Sequence, residues 1–200
     1  MLNIIIFDLF INKYSIVEFA FVLLSVYYYK MTVLSILQYP HPLLSQPTKL
    51  VTDFGEETQK IIDDMFETHY AQENCAALAA NQLGIPLRIT VIDFSEEKNS
   101  PLCLVNAKII KQSGLNITKE GCMSLLNAGF HKVKRASEVT VTYQDRYGEE
   151  KVLEADGFMA KCIQHELDHL DGKVYLDHLG QLKRKMIERK LLEIRKKNKK

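Results

Sequence analysis

The stretch from Gly157 to Leu170 constrains the fold more than any other part of the chain. Phe158, Cys162 and Ile163 recur at helical spacing, Asp156 precedes the run and Asp171-Gly172 ends it. Such a helix has an apolar face to bury, yet it also carries His165-Glu166-Leu167-Asp168-His169. A polar group buried without a partner costs about 1–3 kcal/mol, so two histidines beside two carboxylates need a reason to be there. Residues four apart share a helix face, so His165 and His169 can grip one ion while Glu166 points beside it towards a bound water. The competing reading is a pair of satisfied core histidines, and the pentapeptide alone leaves both open.

A hydrolytic centre of this kind needs a third protein ligand and one open position. Downstream, Asp171, Asp177, His178, Glu188 and Glu193 offer no convincing placement. Upstream, Glu120-Gly121-Cys122-Met123-Ser124 offers a thiolate in a turn-like segment. Asp168 points another way around the helix and reads as a supporting residue. His41, His69, His131 and His178 are assigned no function.

The pattern of the remaining elements sets the fold class. Val33 to Gln38 reads as a short extended segment closed by Tyr39-Pro40-His41-Pro42, and Phe54 to Ala71 as a helix whose Ile61, Ile62, Met65, Phe66 and Tyr70 recur at spacings of three and four. Strands are expected over Arg88 to Phe94, Leu102 to Ile110, Glu138 to Gln144 and Glu149 to Leu153, with Ser95 to Ser100 and Tyr147-Gly148 as turns. No helix intervenes between these strands, so they belong to antiparallel sheets and not to βαβ units. The expectation is an α+β domain of antiparallel β-sheets around a central helix that binds the ion, followed by an amphipathic run from about Leu179.

With 200 residues and 46% hydrophobic content, the chain suits one well-packed domain with appendages. We read residues 31–180 as the catalytic domain. Residues 1–30 form an apolar extension lying upstream of a true start at Met31, with a membrane-anchoring helix or an extra packed helix as the alternatives. Tyr14 to Tyr29 is nearly all apolar, but Asp8, Lys13 and Glu18 leave less than the roughly 20 residues a span requires. No basic leader or small-residue cleavage site precedes Met31. The net charge is +1, which gives no reason to expect DNA, but residues 181–200 carry ten Lys or Arg against two Glu. That basic terminal helix is a solvated face or a contact for ribosomal RNA. Cys75, Cys103, Cys122 and Cys162 read as free thiols, Cys75 as a small buried hydrophobe, since a domain of this size needs no disulfides.

Three motifs in order resemble those of peptide deformylases. Gln-His-Glu-x-Asp-His-Leu stands intact as Gln164 to Leu170, and Glu-Gly-Cys-x-Ser as Glu120 to Ser124. Gly-x-Gly-x-Ala-Ala-x-Gln appears as Cys75-Ala76-Ala77-Leu78-Ala79-Ala80-Asn81-Gln82, and Leu104-Val105-Asn106 is similar to the Leu-Ile-Asn of the family. The resemblance runs from about Met31 to Ile187. It implies hydrolysis of the formyl group from N-terminal formyl-methionine of new polypeptides, in the cytoplasm of a bacterium or in an organelle. The implied ligands are Cys122, His165 and His169 around one divalent ion, Fe2+ foremost, with Zn2+, Ni2+ or Co2+ as the other candidates. Glu166 is the implied general base and acid, the Gln82 amide and the Met123 N–H the oxyanion donors. Ala76, Ala77, Leu78, Glu120, Gly121 and Phe130 are the implied substrate contacts, and Arg135 is placed to pair with Glu120.

Both glycines of the first motif are replaced, by Cys75 and Ala77, a Leu126 stands for the usual Pro, and Phe130 stands where many members have an arginine. The reaction chemistry is kept while substrate recognition is altered, as in a divergent or secondary member. A metallopeptidase or other amidase, and an inactive paralogue that binds ribosomes or nascent chains, are the competing functions.

Overall fold

The computed structural model describes residues 32–197. The expectations for residues 1–30 and for a start at Met31 lie outside the described residues. The described residues form seven strands: β1 (Ala77–Ala79), β2 (Ile89–Ile92), β3 (Leu102–Ser113), β4 (Asn116–Glu120), β5 (His131–Arg135), β6 (Glu138–Gln144) and β7 (Glu150–Asp156). Among the described residues three α-helices accompany them: α1 (Glu56–Tyr70), α2 (Gly157–Leu170) and α3 (Gln181–Lys197). All strand pairs are antiparallel, in a five-stranded sheet ordered β1-β2-β3-β6-β7 and a separate β4-β5 hairpin. The antiparallel α+β architecture agrees with the sequence reading.

The period-2 alternation of strands explains why the sheet is buried on two faces where it meets the helices. Ala79, Ile92, Leu104, Val139 and Val141 pack against Ala160, Ile163, Leu167 and Leu170 of α2. Their strand neighbours Leu78, Ile89, Val91 and Val105 point the opposite way and pack against Ile62 and Met65 of α1. Each fully buried aliphatic side chain there is worth about 1.5–3 kcal/mol. Helix α2 is thus pressed on one face of the sheet, and α1 braces the other.

Helix α2 ends where Asp171-Gly172 predicts. Gly172 donates its N–H to His169 O with φ +73°, and a Cβ there would meet the backbone of Ser45 and Gln46 at 2.9 Å. Residues 33–38 form no strand. Their polar groups are used as straps: Leu34 N–H donates to Thr68 Oγ1, Leu37 N–H to Gln82 O, and the Gln38 Nε2 to Met123 O.

Strands β4 and β5 had no counterpart in the sequence reading. Of their residues only Glu120, Val133 and Arg135 are buried, so they lack the apolar alternation that marks a strand. Strand β3 runs three residues past the expected end at Ile110, as an exposed ribbon with β6 that carries bulges. Asn106, at φ +54° beside the first bulge, bonds both backbone groups of Val51 and Gln144 Oε1. Helix α3 is held through buried Ile187 and partly buried Leu191, with Glu188 accepting from Tyr39 OH. Among the described residues no helix is long and apolar enough to cross a membrane.

Candidate metal centre

Helical geometry brings His165 and His169 together, with ring centroids 5.0 Å apart and planes at 72°. Cys122 reaches them from the end of β4, where it caps the 3₁₀ turn Met123–Leu125 with its Sγ accepting from Ser124 N–H. Its Sγ lies 3.1 Å from His169 Nε2. One donor atom from each of Cys122, His165 and His169 falls within 4.8 Å of the other two. One thiolate and two imidazoles leave a fourth position for water or substrate, the ligand count of a catalytic site. Glu166 is 4% exposed and its Oε2 has no partner, so the donor set fits a cation better than it fits an empty core.

The charge state of these groups points the same way. Burial alone would push the Cys122 thiol up, but His169 and His165 outweigh it and bring it down to about 5. Burial disfavours the imidazolium of His165, yet its bonds to Cys122 and Glu120 hold it well above its ordinary value. Cys122 is thus favoured as thiolate, the form in which a cysteine binds a cation.

Glu120, expected among the substrate contacts, lies in the wall of the cavity over the site and also reaches the metal centre. It is 3% exposed, its Oε2 lies 2.9 Å from His165 Nδ1, and Arg135 grips both its oxygens at 2.8 and 2.9 Å. Burial raises its carboxyl, but Arg135 and His165 prevail and hold it at about 2. With Nδ1 bound to a carboxylate, His165 keeps Nε2 for the ion. Arg135 also donates to Asp168 Oδ2 at 2.5 Å, and Asp168 in turn meets His178 Nε2 at 2.6 Å. A charged chain therefore links His165 to His178 at the protein surface.

Gln82, 2% exposed, donates from Nε2 to Ser124 Oγ at 3.1 Å and more weakly to Cys122 Sγ at 3.6 Å, while its Oε1 accepts from Ala79 N–H. Its amide is thereby held against the centre. A cavity of about 420 Å³ opens over these groups and includes Ala76, Ala77, Gly121, Met123 and Phe130 in its lining. Leu78, also expected among the substrate contacts, is not part of that lining. It is fully buried beneath β1, because its side chain points to the α1 face while that of Ala77 points the other way. Gly121 lets the Phe130 ring approach the backbone closely, since a Cβ would meet the ring at 2.7 Å. Cys75 is half-buried in the cavity wall; it donates to Ala77 O and lies 3.3 Å from His69 Nδ1, and burial pushes its thiol up to about 12.

Sequence reasoning had missed Ser124 and Asn81, which bond Gln82 and the His169 carbonyl, and Tyr175, whose ring lies 6.4 Å from that of His165 with the planes 24° apart. Ser124 stood in the second motif and could have been found there. Asn81 and Tyr175 carry no local signal.

The polypeptide deformylase family model matches residues 33–185. Peptide deformylase 1 of Coxiella burnetii is 55% identical over 166 residues, covering 82% of this chain and 98% of that protein. The peptide deformylase of Pseudoalteromonas translucida is 47% identical, covering 80% and 95%. The crystal structure of a peptide deformylase from Legionella pneumophila superposes with a TM-score of 0.78 at 37% identity, covering 84% of this chain and 99% of that one. That of the enzyme from Ehrlichia chaffeensis in complex with actinonin gives 0.76 at 36% identity, covering 82% and 98%.

Proposed function

The chain belongs to the peptide deformylase family, and we propose from that membership how its residues remove the N-formyl group of nascent polypeptides and release formate. The observation that carries the reading is the gathering of Cys122, His165 and His169 with a buried, unpaired Glu166 oxygen beside them.

A divalent ion held by Cys122, His165 and His169 supplies an acidified water and a Lewis acid for the formyl carbonyl. The donor set suits iron, zinc, nickel and cobalt alike, and Fe2+ is proposed as the native ion on the family resemblance. Glu166 takes the proton of the attacking water and hands it to the leaving amine. Burial raises its carboxyl, opposed by His165 and His169, which suits a group that must both accept and return a proton. Gln82 Nε2 and the Met123 N–H donate to the oxyanion. Ser124 Oγ and Ala79 N–H hold the Gln82 amide in place beforehand, so little reorganisation accompanies the reaction. The formyl-methionine end rests against Ala76, Ala77, Gly121 and Phe130 in the cavity wall.

Formate release from formyl-Met-Ala-Ser by protein purified anaerobically with iron tests this assignment. Wild type is expected to turn over, and Glu166→Ala to lose about 100-fold or more while retaining its metal. A wild type fully loaded with metal that releases no formate refutes it.

The proposed site of action is the cytoplasm, where chains leave the ribosome. Lys183, Lys185 and Lys190 of α3 are exposed and suit the phosphates of ribosomal RNA. Reversing these three to Glu, which spares buried Ile187, should abolish co-sedimentation with ribosomes at low salt and leave formate release unchanged. Unaltered sedimentation removes the ribosome contact.

A further inference from the structure

Each ligand histidine presents one ring nitrogen to the ion and has to satisfy the other. For His165, Glu120 does this. For His169, Nε2 faces Cys122 Sγ, and Nδ1 is buried without a partner in a residue that is 0% exposed. A neutral imidazole bound through Nε2 carries its proton on Nδ1, so a donor is left over.

Asn81 offers the complement. It is 2% exposed, and its Nδ2 donates to the carbonyl of His169 at 2.5 Å. Its Oδ1 is buried and likewise without a partner. The amide cannot be turned end for end, because a carbonyl accepts only from the NH2 side. An orphan donor and an orphan acceptor thus belong to two residues already joined by a hydrogen bond, and leaving them unmatched costs about 1–3 kcal/mol apiece.

We infer that Asn81 is a positioning residue of the metal centre: its Oδ1 accepts the Nδ1–H hydrogen bond of His169 through one bridging water, and so holds that ligand's tautomer and ring plane. This rests on the metal reading of Cys122, His165 and His169. It gives the 3₁₀ turn Ala80–Leu83 two tasks, since Gln82 follows Asn81 in that turn. The two histidines are then oriented by different means, His165 by a charged carboxylate and His169 by a neutral amide.

The test compares Asn81→Ala and Asn81→Asp with wild type, each loaded with Ni2+ or Co2+. The alanine variant should hold Ni2+ about 10- to 100-fold more weakly and show shifted Co2+ absorption bands, with KM for formyl-Met-Ala-Ser unchanged. The aspartate variant keeps an acceptor oxygen and loses the donor to the His169 carbonyl, so it should bind Ni2+ within about threefold of wild type if the acceptor is what matters. Unchanged Ni2+ affinity and Co2+ spectrum in the alanine variant, or equal loosening in both, overturns the inference. A separate measurement needs no variant: the His169 Nδ1 proton of the Zn2+-loaded wild type should give a slowly exchanging NMR signal, and its absence refutes the role. A wild type that binds no metal overturns the metal reading as well.

Discussion

Removing the Arg135 guanidinium by Arg135→Leu should cost about 3 kcal/mol of stability, and the structure gives two routes to that figure. Arg135 and His165 hold the Glu120 carboxyl at about 2 against an ordinary 4.5; a shift of that size at about 1.36 kcal/mol per unit amounts to roughly 3 kcal/mol. Breaking a buried ion pair from one side costs about 3–5 kcal/mol. Glu120 would keep His165, but Asp168 would lose Arg135 as well, so neither route is an overestimate by much. Urea unfolding followed by circular dichroism should therefore show a midpoint about 1–2 M lower, for a slope of about 2 kcal/mol per M. Because the folded carboxyl is depressed, its contribution is complete above about pH 4.5 and disappears as the pH falls towards 2. For metal-free protein the gap between variant and wild type should close over that window. The double variant Arg135→Leu/Glu120→Leu, which removes both charges, should recover much of the stability. It should still bind Ni2+ weakly, because His165 has lost its orienting carboxylate. A single variant destabilised by less than about 1 kcal/mol, or a double variant with wild-type metal affinity, refutes this account of the network.

Gln82→Ala should lower kcat about 100- to 1,000-fold with a smaller effect on KM, measured by formate release at saturating metal; an equal change in KM alone would mean that Gln82 only binds substrate. Burial pushes the thiols of Cys75, Cys103 and Cys162 up to about 12, so at pH 8 their thiolate fraction is about a thousandfold below that of a free thiol. Mass spectrometry after brief iodoacetamide treatment should find none of the three modified in native protein, and Cys122 modified once a chelator has removed the metal; rapid labelling of Cys75 would contradict its environment. Cys75→Gly, which takes a side chain out of the cavity wall, should raise kcat/KM for formyl-Met-Ala-Ser several-fold through KM, and a fall would show that the thiol serves the substrate instead.

Much of the centre was legible because its signals are local. The spacing of His165 and His169 follows from the pitch of a helix, and the boundaries of α1 and α2 from apolar periodicity and the Asp171-Gly172 stop. Cys122 and Gln82 were readable through motifs whose members adjoin one another in the chain. Local pattern failed wherever polar groups were buried by partners distant in sequence. β4 and β5 were invisible because their inward side chains include Glu120 and Arg135, which look like surface residues until they meet. Ala77 and Leu78 adjoin in one motif, yet a strand turns them to opposite faces, and only the placement of α1 and α2 decides which of them lines the cavity. The chain from His165 to His178 and the approach of Asn81 to His169 depend on the same closure. The sequence by itself determined the helix that bears His165, Glu166 and His169 and the face the two histidines share, because covalent geometry sets those relations over a few residues. The tertiary structure alone decided which buried polar groups satisfy one another, because an unpaired charge or amide is tolerable only where packing delivers its partner.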